Sequence, residues 1–204
     1  MMTDRSVLPT EEDLKQLPLG AIVAYAVRCA RRVQPLYGRS AGTAELARHE
    51  AAIDEAICLA QKFCLSHEVS GAAYGAAYTA RDAAHAAEAQ DAARAAAAAA
   101  RAAAYAFDIP QSAVYDHALY ASRVATEAVD GALAAARAAG HDSAGAVADA
   151  ARADLDRLLA QNRGTYPQLG EPLDPSENGP LGTLWPKGPP AWFAAKPAPR
   201  TKSH

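Results

Sequence analysis

Residues 114–139 read VYDHALYASRVATEAVDGALAAARAA, and this stretch decides the fold class. Small apolar side chains recur in it at alternating steps of four and three residues, which is the heptad spacing of a helix that packs along one face. We call these positions the alanine seam: Val114, Ala118, Ala121, Ala125, Ala128, Ala132, Ala135 and Ala139. Alanine has the highest helix propensity, and its small side chain lets two backbones approach closely. The stretch therefore predicts a helix that packs tightly against another shallow helix surface.

The chain before and after the alanine seam is also predicted to be helical, up to residue 163. Thr10-Glu11-Glu12-Asp13 has the spacing of a capping box and predicts a short helix that ends at Pro18. Apolar periodicity and glycine or proline breaks predict five further helices, over about residues 19–36, 44–65, 71–107, 110–139 and 144–161. The sequence thus predicts an all-α, alanine-rich bundle of about five to six helices.

The predicted helix 71–107 has a seam of its own that matches the one in 110–139. Its positions are Ala89, Ala93, Ala96, Ala100 and Ala103. Because only a few residues join these two helices, we expect a long antiparallel helical hairpin. We expect this hairpin to form a thin arm, while helices 19–36, 44–65 and 144–161 supply the conventional core.

From residue 164 the composition changes, and nine of the thirteen prolines and both tryptophans lie in this last segment. The predicted organisation is a disordered N-terminus over 1–9, a helical bundle over 10–163, and a proline-rich, extended and partly disordered tail over 164–204. Two PxxP motifs, Pro172–Pro175 and Pro186–Pro189, favour the polyproline II conformation.

The aromatic residues of the tail, Trp185, Trp192 and Phe193, have two interpretations. They either fold back to cover apolar surface that the thin alanine helices leave open, or they are contacts for another protein. An arginine cluster formed by Arg28, Arg31 and Arg32 has two interpretations as well, since no acidic residue occurs between Gly20 and Glu45. These arginines either pair with the neighbouring acidic helix 44–65 or bind an anionic partner. Both groups are therefore partner-binding candidates.

One sequence pattern has the spacing of metal ligands. Asp82, His85 and Glu88 lie one helical turn apart, but a di-metal bundle needs two acid-x-x-His pairs and further carboxylates. The three cysteines, Cys29, Cys58 and Cys64, form no CxxC motif, and we interpret them as reduced. The sequence therefore predicts no cofactor, no catalytic residue and no metal site, with Asp82, His85 and Glu88 as weak candidates.

The remaining features concern partners and location. A formal net charge of −3 gives no basic surface of the kind that nucleic-acid binding requires. No apolar stretch reaches the length of a membrane span, and no basic segment of a secretory signal precedes the first apolar stretch, so we expect a cytoplasmic protein. The alanine- and arginine-rich composition resembles that of proteins from GC-rich bacterial genomes.

Taken together, these features predict a non-enzymatic helical protein–protein interaction module, an adaptor or scaffold component of a bacterial cytoplasm. Its partner would be another protein or a second copy of the chain. One alternative is a metal-binding or enzymatic bundle that uses Asp82, His85 and Glu88. A further alternative is a small-ligand sensor.

Overall fold

The computed structural model describes residues 8–37, 44–68, 116–139, 141–161 and 164–194, together with Gly75 and Thr79. Within these ranges the chain forms six helices and no strand. The helices are α1 (Glu11–Leu14), α2 (Leu19–Tyr37), α3 (Ala44–Ser66), α4 (Asp116–Ala139), α5 (His141–Gln161) and α6 (Ala191–Ala194). The predicted all-α helical bundle is confirmed.

The first helix begins at the capping box that the sequence predicts. The Asp13 amide donates to the hydroxyl of Thr10 at 3.2 Å, and the Thr10 amide donates to the Asp13 carboxylate at 2.9 Å. These bonds satisfy amides that have no partner within a helix. Leu14 and Leu17 are buried, so the turn that follows α1 is packed against the bundle. Leu8 and Pro9 also pack against it, although they fall in the N-terminus predicted to be disordered, and residues 1–7 lie outside the described ranges.

Helix α2 lies at the centre of the bundle. Every residue from Leu19 to Ala30 is buried, and α2 contacts α3, α4, α5 and α6. A helix that is apolar on all sides has to be surrounded by other elements, because no side of it is suited to water. The other helices therefore arrange themselves around α2.

The alanine seam of α4 packs into this central core. Ala121, Ala125, Ala128 and Ala132 are fully buried, and α4 makes its most extensive contacts with α2. The predicted hairpin partner, helix 71–107, lies outside the described residues apart from Gly75 and Thr79. Among the described helices α4 belongs to the main core and is not part of a separate arm, because α2 also offers small side chains against which a shallow surface can pack.

The proline-rich segment is packed on the bundle from residue 164 to 194. Leu173, Leu181, Trp185 and Trp192 are buried in the same hydrophobic core as α2, α4 and α5. The segment ends in the short helix α6, which the sequence did not predict. We call residues 164–194 the docked tail.

The docked tail also completes the ends of two helices. The amides of Leu19 and Gly20 in the first turn of α2 donate to the carbonyls of Gln168 and Leu169 at 2.8 and 2.9 Å. The Leu173 amide donates at 2.7 Å to a carbonyl near the end of α3. Because helix ends leave such groups without intrahelical partners, the tail satisfies hydrogen bonds that the bundle alone leaves open.

The close packing of the alanine seam generates a test on a single helix. We expect Ala128→Leu to lower the free energy of unfolding by about 1–3 kcal/mol, because the larger side chain enters a fully buried position on the helix that packs most extensively against α2. Ala138 lies on the exposed side of the same helix, so Ala138→Leu should change it by less than about 0.5 kcal/mol. Urea unfolding followed by circular dichroism measures both, and equal effects would contradict the assigned packing.

Candidate functional site

Two arginines of α2 are fully buried between α2, α5 and the docked tail. Arg28 and Arg32 are four residues apart and therefore share a face of the helix, and both have an exposed fraction of 0 %. Arginine is rarely buried unless its charge is paired. The site therefore has to supply a partner for each guanidinium group.

Asp154 of α5 is the common partner, and its side chain is fully buried as well. Its Oδ2 atom accepts from Arg28 Nε at 2.8 Å and from Arg32 Nη2 at 2.5 Å. Its Oδ1 atom lies 3.4 Å from Arg157 Nη1 at the edge of the site, where Arg157 is about a third exposed. We call Arg28, Arg32 and Asp154 the arginine clamp.

Main-chain carbonyls of the docked tail are the second set of acceptors in the clamp. Arg28 Nη1 and Nη2 and Arg32 Nε donate to them over distances between 2.8 and 3.1 Å. The accepting carbonyls are those of Pro175, Gly182, Thr183 and Leu184. Because a hydrogen bond from a charged donor is stronger than one between neutral groups, the clamp holds the tail through its backbone.

The aromatic residues of the tail form a cluster beside the clamp. Trp185 contacts Trp192 and Phe193 edge to face, with ring centroids 5.8 and 5.3 Å apart, and Trp192 and Phe193 are 6.0 Å apart. The Arg32 guanidinium carbon lies 5.9 Å from the centroid of the Trp185 ring. The exposed fractions of Trp185 and Trp192 are only 5 % and 8 %, so these candidates face their own bundle. Their packing adds dispersion and cation–π attraction to the carbonyl contacts.

The segment between the two tryptophans faces outwards as a turn. Pro186, Lys187, Gly188 and Pro189 are exposed, and Lys187 Nζ is tied to the Asp149 carboxylate of α5 at 2.6 Å. The Gly188 amide donates to the Trp185 carbonyl at 3.0 Å, and Gly188 has a φ of 88°. A positive φ is incompatible with a polyproline II helix. The polyproline II conformation predicted for the second PxxP motif, Pro186–Pro189, is therefore wrong.

Arg31, the third arginine candidate, lies apart from the clamp. It is partly exposed and turned towards α3, where its Nη2 atom lies 3.2 Å from Gln61 Oε1 and 3.7 Å from Cys58 Sγ. The structure thus brings Arg28 and Arg32 together with Trp185 and separates Arg31 from them. Arg28 and Arg32 pair with α5 and not with the acidic helix α3.

Asp154 is the residue that the sequence analysis missed. The signal was present, because Asp154 continues the apolar stripe of α5 formed by Val147, Ala151 and Leu158 at helical spacing. A charged residue in the middle of an apolar stripe indicates a buried partner of opposite charge. Two arginines on the otherwise apolar helix α2 are the complementary signal.

A second polar group lies where the docked tail crosses the ends of α2 and α3. His67 follows α3 with a φ of 55°, and its ring contacts Phe63 at a centroid distance of 5.5 Å. A side chain at Gly20 would place its Cβ atom 2.8 Å from His67 Nε2 and 3.0 Å from the Leu169 carbonyl oxygen, so it would displace the imidazole ring. Burial lowers the pKa of His67, because the charged imidazolium loses hydration at this contact.

The cysteine and metal predictions concern other parts of the molecule. Cys29, Cys58 and Cys64 are free thiols, and burial raises the pKa of Cys29 to about 12. Asp82, His85 and Glu88 lie outside the described residues. In the part of the chain that is described, no three histidine, cysteine or acidic residues come together as a possible metal site.

No helix among the described residues is both long and apolar enough to cross a bilayer.

Comparison with known proteins returns no relative of this chain. No protein-family model matches the sequence, and no curated protein or solved structure matches it significantly.

The clamp predicts that Asp154 is a residue on which stability depends. In Asp154→Asn two buried guanidiniums lose their counter-charge, so we expect the free energy of unfolding to fall by about 3–5 kcal/mol. Asp156, also on α5, is exposed and forms a surface ion pair with Arg152, so Asp156→Asn is the matched control and should change little. Urea unfolding monitored by tryptophan fluorescence reports this directly, since both tryptophans lie in the docked tail. Equal stability of the two variants would contradict the role assigned to Asp154.

The environment of His67 predicts a pH dependence with a definite sign. Because the pKa is lower in the folded protein than in the unfolded chain, the unfolded chain takes up the proton first as the pH falls. Stability present above the unfolded value of about 6.5 should therefore decline below it. His67→Asn, whose side chain tolerates a positive φ, should lose less stability than the parent between pH 8 and pH 5. Urea unfolding at the two pH values tests this, and identical losses would refute the assignment.

Proposed function

We propose that the protein is a non-enzymatic protein–protein interaction module, an adaptor or scaffold component of a bacterial cytoplasm. The docked tail is the part that contacts the partner. The observation that carries this proposal is the exposed turn at residues 186–189, which is held between two buried tryptophans.

Burial of Trp185 and Trp192 supports this assignment by making the turn rigid. Both ends of the turn are fixed in the aromatic cluster, and Lys187 is tied to α5 in the middle. A surface that is already ordered loses little conformational entropy when a partner binds it. The turn therefore presents proline and glycine backbone in one conformation.

The arginine clamp also supports the proposal, because it holds the docked tail on the bundle. Four tail carbonyls on two buried arginines keep the tail in place without using any exposed side chain of the turn. The outer surface of the turn is thus available to vary with the partner, while the inner contacts stay the same. In this arrangement the bundle is the platform and the turn is the contact surface.

Site-specific photo-crosslinking tests the proposal on the full chain. A photoreactive amino acid placed at the exposed Pro189 should give a discrete crosslinked product in the cells from which the gene derives. The same amino acid at Arg123, an exposed position on α4, is the matched control and should not give that product. Mass spectrometry then separates a second copy of the chain from a different protein.

Two results together would contradict the proposal. These are the absence of a product at position 189 that differs from the one at position 123, and a strict monomer by light scattering over the same concentrations. A product that survives Lys187→Ala but disappears when Trp185→Ala releases the turn would support the role of the turn's conformation.

A further inference from the structure

Helix α3 has one side that packs on the bundle and one side that is exposed. Among the described helices α3 packs extensively only on α2. Ala51, Cys58 and Leu65 are exposed and seven residues apart, so they form one line along the outer side of the helix. Among the described residues, Leu65 is the one large hydrophobic side chain that is exposed, with an exposed fraction of 48 %. We define the α3 surface as Ala51, Asp54, Glu55, Cys58, Gln61, Lys62 and Leu65.

Opposite charges lie on either side of Cys58 within this surface. Glu55 comes three residues before Cys58 and Lys62 four residues after it, and at 100° per residue both fall on the same side of the line through Cys58. Both are exposed, and neither forms an ion pair with a described residue. They are about 10 Å apart along the helix axis, which is too far for them to pair with each other. Each charge therefore lacks a counter-charge within the described part of the chain.

The other side of the line has a second pair of opposite charges. Arg31 of α2 donates to Gln34 Oε1 at 2.9 Å and to Gln61 Oε1 at 3.2 Å, and it lies 3.7 Å from Cys58 Sγ. All three are neutral groups, so no described acidic residue balances its charge. The Asp54 carboxylate on the same side accepts a hydrogen bond from the Gln34 amide, which is also neutral. Arg31 is thus the arginine candidate that lies beside an exposed surface.

These charges match when a second copy of α3 is placed antiparallel on the first. A two-fold axis at Cys58 reverses the direction of the helix, so residues before Cys58 in one copy face residues after it in the other. Glu55 then lies opposite Lys62 of the second copy, and Asp54 comes beside Arg31 of the second copy. Because the axis repeats each contact, four opposite-charge contacts form. A parallel arrangement would instead bring Glu55 against Glu55.

We propose that the α3 surface is a homodimer interface, in which a second copy of the chain packs antiparallel with Cys58 at the two-fold axis. The small Ala51 side chain lies opposite Leu65 of the second copy, so that the exposed leucine is covered. Residues 51–65 span only about 21 Å of helix, so the interface is smaller than a standard one and the dimer is weak and concentration-dependent. The α3 surface shares no residue with the turn at 186–189, so this proposal does not depend on the proposed role of the tail.

Crosslinking of the unmodified full chain tests the position of the axis. Cys58 is exposed, whereas Cys29 and Cys64 are buried, so a short bis-maleimide reagent reacts with the folded chain at Cys58. A covalent dimer should form in native buffer, because the axis brings the two Cys58 thiols together. Cys58→Ser should abolish this product, and dilution below the dissociation constant should reduce it. Failure of Cys58 to crosslink at concentrations where the chain is dimeric would overturn the proposal.

A charge exchange tests the antiparallel pairing. Glu55→Lys places two lysines together at each of two equivalent contacts, so the dissociation constant from sedimentation equilibrium should rise about tenfold. The double variant Glu55→Lys with Lys62→Glu restores opposite charges and should regain the affinity of the parent chain. Asp130→Lys, a change of the same sign at an exposed position of α4, is the matched control and should leave the affinity unchanged.

Two results would each overturn the proposal. One is a full chain that remains monomeric up to millimolar concentration, which would leave the α3 surface without a second copy. The other is a double variant that associates no more tightly than Glu55→Lys alone, since Glu55 and Lys62 would then not face each other across the interface.

Discussion

The carboxylate of Asp154 is shared by two guanidinium groups inside the protein, and the arrangement of α2, α5 and the docked tail depends on this contact. Three charged groups without solvent are stable only when their hydrogen-bonding capacity is met at short range. α5 supplies the carboxylate, and the tail supplies four carbonyls. If any of the three elements moved away, charge would be left buried without a partner.

This dependence makes the docked tail a structural part of the bundle. Its carbonyls accept hydrogen bonds from the first-turn amides of α2, and one of its amides donates to a carbonyl near the end of α3. Its aromatic cluster packs beside the clamp. These contacts extend from the first turn of α2 to Arg32, so the tail follows much of the central helix. Folding of the helices and docking of the tail are therefore expected to be coupled. The conformation of the exposed turn at residues 186–189 then depends on the packing of the core beneath it.

Several elements could be predicted from local sequence because their causes are local. The capping box at Thr10 and Asp13, and the bounds of α2 and α3, follow from side chains within a few residues of each helix end. The alanine seam correctly predicts a closely packed helix face at Ala121 to Ala132. It could not identify the neighbour, because a row of methyl groups fits any shallow surface, and the small residues of α2 offer one as well.

The candidate site was predicted only in part, for a related reason. The sequence singles out Arg28, Arg32, Trp185 and Trp192 as unusual residues, but it does not show that they meet, since 126 residues separate Arg28 from Asp154. Loop closure over such a distance leaves no periodic trace in the sequence. The turn at Gly188 likewise depends on the packing of Trp185 on one side and of Trp192 on the other, whereas a PxxP motif considered alone favours an extended chain.

The sequence by itself determined that the chain is helical, where its first helices begin and end, and that a proline-rich segment follows them, because propensity, capping and periodicity act over one or two turns. The tertiary structure decided that this segment is docked, that two arginines are buried, and that Asp154 is their common partner. Burial of charge is settled only by the sum of all acceptors that reach it, and those acceptors come from α5 and from the tail, far away along the chain.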